Sequence, residues 1–97
     1  VKRFDANSYL VLTEALMSHD VSRGRGPEAE VLGSIRVTPF IAAVESDRLY
    51  FPGQSQELAR QLPGDVPVHM IDSPIGHDGF LTDLDQVAAE MTRVLGL

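Results

Sequence analysis

Cysteine is absent from the chain, which excludes disulfides, thiolate catalysis and zinc–thiolate sites. Basic residues are few: 8 Lys and Arg stand against 14 Asp and Glu, a formal net charge of -6. They are also scattered, and the nearest thing to a cluster is Arg23 and Arg25 in a Gly-containing turn. Nucleic-acid binding needs clustered cations to neutralise phosphates, so that class is set aside. No apolar run approaches the roughly 20 residues of a bilayer-crossing helix. Val1-Lys2-Arg3-Phe4 does not open a signal peptide, because no apolar stretch leads to a small-residue cleavage site. A cytoplasmic protein with no membrane partner is the expectation. The missing initiator Met suggests a chain that begins inside something longer.

What remains is a chain of 97 residues with an ordinary apolar content of 43%. It has room for one domain or a piece of one, and at this length it buries too little surface to be more than marginally stable alone.

The pattern of apolar residues predicts an alternating order of helices and strands. Asp5, Asn7 and Ser8 offer oxygens that cap a helix start. Tyr9, Leu12, Ala15 and Leu16 follow at helical spacing, giving one apolar face that should end near His19-Asp20. Residues 21–33 hold three Gly and a Pro and read as a loop with a helical turn near Pro27 to Leu32. Thr38 to Glu45 is a short, nearly continuous apolar run, as in strands buried on both faces of a parallel sheet. A helix from Pro52 to Leu62 turns Leu58, Ala59 and Leu62 to one side and stops at Pro63-Gly64. Val66 to Ile71 is a second strand, pairing fully only beyond Pro67. Asp72 to Gly79 reads as a loop. Thr82, with Asp85 three residues on, is placed to cap a last helix striped by Leu84, Val87, Ala88, Met91, Val94 and Leu95.

The fold class is therefore α/β: a helix, a parallel βαβ unit and a C-terminal helix. Two strands leave bare hydrogen-bonding edges, so further strands are expected from another segment or from a second copy, and the chain is expected to associate.

In open α/β sheets functional groups gather past the carboxyl ends of strands. Asp47 follows the first strand and His77-Asp78 the second, so parallel pairing brings both loops to one edge. A carboxylate accepting from imidazole Nδ1–H fixes the tautomer and steadies the imidazolium that forms when the ring takes a proton. Acid then base is also the order in which the last two members of an α/β-hydrolase triad occur, after a Ser on a G-x-S-x-G turn. No such Ser is present. Ser55, in Gly53-Gln54-Ser55-Gln56-Glu57, has half of that pattern and reads as a helix-start residue; Ser34 and Ser73 lack the context too. His19-Asp20 and His77-Asp78 sit on separate elements without metal-ligand spacing, and no metal is expected. His69, alternating out of an apolar strand, reads as structural.

Three motifs in this order carry a resemblance. Phe4-Asp5-Ala6-Asn7-Ser8-Tyr9-Leu10, Ser46-Asp47-Arg48-Leu49-Tyr50 and Gly76-His77-Asp78-Gly79-Phe80-Leu81 together resemble the homoserine O-acetyltransferase family, from about Phe4 to Leu97 and over roughly its last quarter. The resemblance implies an α/β-hydrolase fold with an inserted helical lid, working as a homodimer that associates through the lid. It implies acetyl transfer from acetyl-CoA, as co-substrate and with no other cofactor, to the hydroxyl of L-homoserine in methionine biosynthesis. Asp47 would be the triad acid, His77 the triad base, and Asp78 the carboxylate for the homoserine amino group. Residues 1–33 would be the lid's end and the return to the core, and residues 34–97 the C-terminal core. Their partner would be the N-terminal part of the same protein, which carries the Ser, so the 97 residues alone would be inactive. The family commonly has Pro directly after the aromatic of the Asp motif, whereas here Phe51 precedes Pro52-Gly53, leaving the start of the next helix open. Relatives that use succinyl-CoA or act on serine share these motifs, and a non-catalytic α/β interaction module is the alternative from a different class.

Overall fold

A computed structural model describes residues 4–96; Val1-Lys2-Arg3 lie outside them. The chain divides into two compact units, one running up to Val31 and the other from Leu32 onward.

In the first unit, helix α1 spans Ala6–Met17. Asp5 caps it as the sequence predicts. One carboxylate oxygen accepts the Asn7 N–H at 3.1 Å, and the other accepts the Ser8 N–H at 3.3 Å and the Ser8 hydroxyl at 2.6 Å. The helix ends at Ser18, slightly before the expected stop. Its apolar surface is broader than one face: Tyr9, Leu10, Val11, Leu12, Leu16 and Met17 are all more than half exposed. A helix apolar on most sides is one that proteins ordinarily bury. The loop that follows ends in the short helix α2, Glu28–Gly33.

The second unit is built on two strands. Strand β1 (Ile41–Val44) pairs in parallel with β2 (Val68–Ile71), in the register Ile41 with Val68 through Val44 with Ile71. Helix α3 (Pro52–Gln61) joins them and packs against both. It starts at Pro52, where the fixed ring and missing N–H suit a first helical position, so the inserted Phe51 precedes the helix without disturbing it. Each strand is shorter than its apolar run. Pro67 has no N–H to give to the ladder, and pairing begins one residue later. The buried apolar side chains here are Leu32, Ile41, Ala43, Val44, Ala59, Leu62 and Ile71.

The segment after β2 departs from expectation. It is a loop only up to Ile75, followed by a 3-10 turn (Gly76–Asp78), a one-turn helix α4 (Gly79–Thr82) and then α5 (Leu84–Leu95). Thr82 does not cap α5. It closes α4, donating its hydroxyl back to the Asp78 carbonyl at 3.3 Å, while Asp83 stands at the α5 start without a side-chain cap bond. Gln86 instead fastens α5, bonding the Asp72 N–H at 3.0 Å and the Asp72 carbonyl at 2.8 Å. His69 is structural as expected: it stacks on Phe40 and lies 2.8 Å from both Glu90 and Arg93 of α5. Among the described residues no helix is long and apolar enough to cross a membrane.

Gly79 marks the tightest seam. A Cβ there would stand 2.8 Å from the Ser73 side chain and 2.9 Å from a Val44 methyl. Neither neighbour is a flexible chain end, so a methyl must displace α4 or the strand. Gly53, in α3, faces open space. We expect Gly79→Ala to lower the unfolding free energy by about 1–3 kcal/mol, the usual cost of overpacking. Gly53→Ala should raise it by about 0.4–1 kcal/mol through the unfolded chain's lost freedom. Urea unfolding of both variants checks the contrast.

Candidate functional site

Asp47 and His77 meet. Parallel pairing puts the carboxyl ends of β1 and β2 at the same edge, and the last rung, the Glu45 N–H on the Ile71 carbonyl at 3.0 Å, holds the two exits together. Three residues past Val44, Asp47 turns inward and is only 5% exposed. Six residues past Ile71, the 3-10 turn presents His77. Its Nδ1 lies 2.8 Å from Asp47 Oδ2.

The carboxylate has further partners. Its Oδ1 accepts the Leu49 N–H at 2.8 Å and the Tyr50 N–H at 3.0 Å. Two effects of opposite sign act on its acidity. Burial is the larger single influence and pushes its pKa up. The bond from His77, the two backbone N–H groups and the imidazole's charge together outweigh it, and the carboxyl sits below its ordinary value. Asp47 is therefore ionised at neutral pH and has only acceptors to offer. In the neutral ring Nδ1 must then carry the proton, which leaves Nε2 bare. That nitrogen is the one able to take a proton from a hydroxyl.

The ring is also held on its faces and edges. Tyr50 lies tilted against it at 5.1 Å between centroids, and Phe80 meets it edge-on at 5.3 Å. His77 itself is half-buried. Asp47, Tyr50, Ser55, His77, Phe80 and Val87 line one cavity of about 250 Å³, together with the strand ends. Ser55 lies in α3 with no strand-to-helix turn before it, so its place on this wall does not make it a G-x-S-x-G nucleophile. Asp78 stands in the same 3-10 turn as His77 and is exposed. A larger hollow of about 430 Å³ beside Gln56, Arg60 and Asp65 gathers no such convergent pair.

Known proteins of one name resemble the chain along nearly its whole length. The chain is 48% identical over 94 residues to a homoserine O-acetyltransferase of Thermobifida fusca, covering 97% of this chain and 25% of that protein. The enzyme of the same name from Mycobacterium avium is 48% identical over 95 residues, covering 98% and 24%. That from Mycobacterium tuberculosis is 45% identical over 97 residues, covering 100% and 26%. The chain matches the C-terminal part of the homoserine O-acetyltransferase family. It spans about a quarter of the length of these relatives. No family model matches it.

Several contributors to the site went unread in the sequence. Tyr50 and Phe80 each lie three residues from the acid or base they accompany, inside the motifs that carry the homoserine O-acetyltransferase resemblance, yet only the fold shows that both touch one ring. Gly79, read as a loop residue, is the close contact that lets α4 sit against Val44 and Ser73.

The lowered pKa of Asp47 has a signed consequence. The folded state holds this proton less tightly than the unfolded chain, whose Asp titrates near about 3.9. The bonds to Asp47 thus contribute their full stabilisation above that pH and lose it as pH falls through it to the lower folded value. Asp5, Asp20 and Glu90 are shifted the same way, so the comparison must be internal. We expect the wild-type urea midpoint to fall more steeply on acidification than that of Asp47→Asn. Parallel pH profiles for the two would contradict the assignment.

Proposed function

We propose that this chain is the acid-and-base portion of an α/β-hydrolase-fold O-acyltransferase that moves acetyl from acetyl-CoA to the hydroxyl of L-homoserine. The observation that carries this reading is the Asp47–His77 bond at 2.8 Å, on the strand edge where such chemistry gathers, in a chain similar throughout to homoserine O-acetyltransferases. In this reading residues 34–97 are the C-terminal core and residues 1–33 end the lid and lead back to it. The broadly apolar, exposed α1 and the two-stranded sheet with free edges support a covering by further protein, namely the preceding part of the same enzyme and a second subunit. The setting would be cytoplasmic methionine biosynthesis.

In this reading each side chain has its own task. His77 Nε2 accepts the proton of a serine hydroxyl as that oxygen attacks the acetyl thioester, and the same nitrogen returns a proton to the departing thiolate. Asp47 holds Nδ1–H throughout and stabilises the imidazolium. In the second half His77 takes the hydroxyl proton of homoserine as that oxygen attacks the acyl-enzyme, and passes it to the serine oxygen as the acyl–serine bond breaks. Asp78, exposed beside the base, is suited to pair with the substrate ammonium and hold its hydroxyl near His77. The serine belongs to the portion of the relatives that these 97 residues do not span, so the chain alone should form no acyl-enzyme.

The test joins this chain to the N-terminal three quarters of the Thermobifida fusca relative. The chimera should transfer acetyl to homoserine. Asp47→Asn should lower kcat on the order of 10⁴-fold, as when a triad base loses its orienting carboxylate. His77→Ala should cost at least as much, and Asp78→Asn should mainly raise KM for homoserine. The isolated chain should show no turnover above its own His77→Ala variant. A chimera that keeps its rate without His77, or an isolated chain that turns over, refutes the proposal.

A further inference from the structure

A second bridge runs beside the Asp47–His77 bond. Ser46, directly before the acid, donates its hydroxyl to the backbone carbonyl of Ser73. The same oxygen accepts the backbone N–H of Gly76, the residue directly before the base, at 2.9 Å. One hydroxyl thus grips both ends of the Ser73–Gly76 approach to His77. The approach is also folded from within: the Ile75 N–H bonds the Ser73 hydroxyl at 3.3 Å, and Ser73 is 3% exposed. Gly76 takes φ +81°, a left-handed conformation in which a side chain would be strained. Gly79 closes the far side against Ser73 and Val44.

No rung of the ladder reaches this far beyond β1 and β2, so the separation of acid and base depends on what links their loops directly. The Asp47–His77 bond cannot set its own length while His77 gains and loses a proton in each turnover. A hydroxyl that does not titrate, anchored one residue away from each partner, can.

We propose that Ser46 is a positioning residue whose hydroxyl clasps the His77 loop and fixes the base relative to Asp47. The inference deepens the reading of Asp47 and His77 as acid and base and rests on it. Misplacing a catalytic group by about 1 Å can cost about 10²-fold in rate. Removal of the clasp should therefore act on kcat and leave substrate binding alone.

Two measurements test this. In the 97-residue chain, amide hydrogen exchange of Gly76 should be slow in the wild type, at least about tenfold faster in Ser46→Ala and slow again in Ser46→Thr. In the chimera, Ser46→Ala should lower kcat by about 10–10²-fold at unchanged KM, and Ser46→Thr should restore most of it. A wild-type Gly76 amide that exchanges as in an open chain overturns the clasp. So does a Ser46→Ala enzyme with normal kcat in a chimera that still needs His77 and Asp47. If the chimera needs neither, the acid–base reading itself has failed, a different result in different variants. Should Ser46→Ala not fold, wild-type Gly76 exchange decides, with protection upholding the clasp and open-chain exchange removing it.

Discussion

Parallel pairing of two four-residue strands is the constraint on which the rest depends. Antiparallel strands would send Asp47 and His77 to opposite ends of the sheet. The register that matches Val44 with Ile71 brings both exits to one edge, and the remaining distance is closed by three and six residues of loop. The parallel arrangement in turn requires a crossover, which α3 supplies, and α3 covers the strands it connects. Fold and site are thus two consequences of one topological choice.

Burial gives the acid–base bond its character. Were Asp47 exposed, its bond to His77 would compete with water and be worth little. At 5% exposure the carboxylate depends on its partners, and it has enough of them: two backbone N–H groups on one oxygen and the imidazole on the other. Among the described residues no buried side-chain polar atom lacks a hydrogen-bond partner. The groups that keep Asp47 ionised are also those that fix which nitrogen of His77 is free. Electrostatics and tautomer choice are therefore the same fact seen from two residues.

What was legible in the sequence was local, or followed from local elements by a simple rule. Asp5 caps α1 because its acceptors and the donors they satisfy lie within three residues. Asp47 and His77 could be paired in advance because a βαβ unit dictates which edge receives its loops. The apolar runs are longer than the strands because a run records what can be buried, whereas a strand ends where its partner's backbone does, at Pro67 on one side. Thr82 has the look of a cap for α5, but α4 intervenes, and its hydroxyl is shared between the Asp78 carbonyl behind it and the Asp83 carboxylate beside it. The contacts of Ser46 with Ser73 and Gly76, and of His69 with Glu90 and Arg93, join residues more than twenty positions apart. Nothing at either end of such a pair announces the other until the strands are aligned.

The chemistry proposed for this site depends on the bond between an ionised Asp47 and the Nδ1–H of His77. Nitrogen-15 chemical shifts of the His77 ring at neutral pH report the tautomer of its neutral form directly. The expected result is a protonated Nδ1 and a bare Nε2, with that preference lost in Asp47→Asn. A wild-type ring carrying its proton on Nε2, or one indifferent to the loss of the carboxylate, would contradict it.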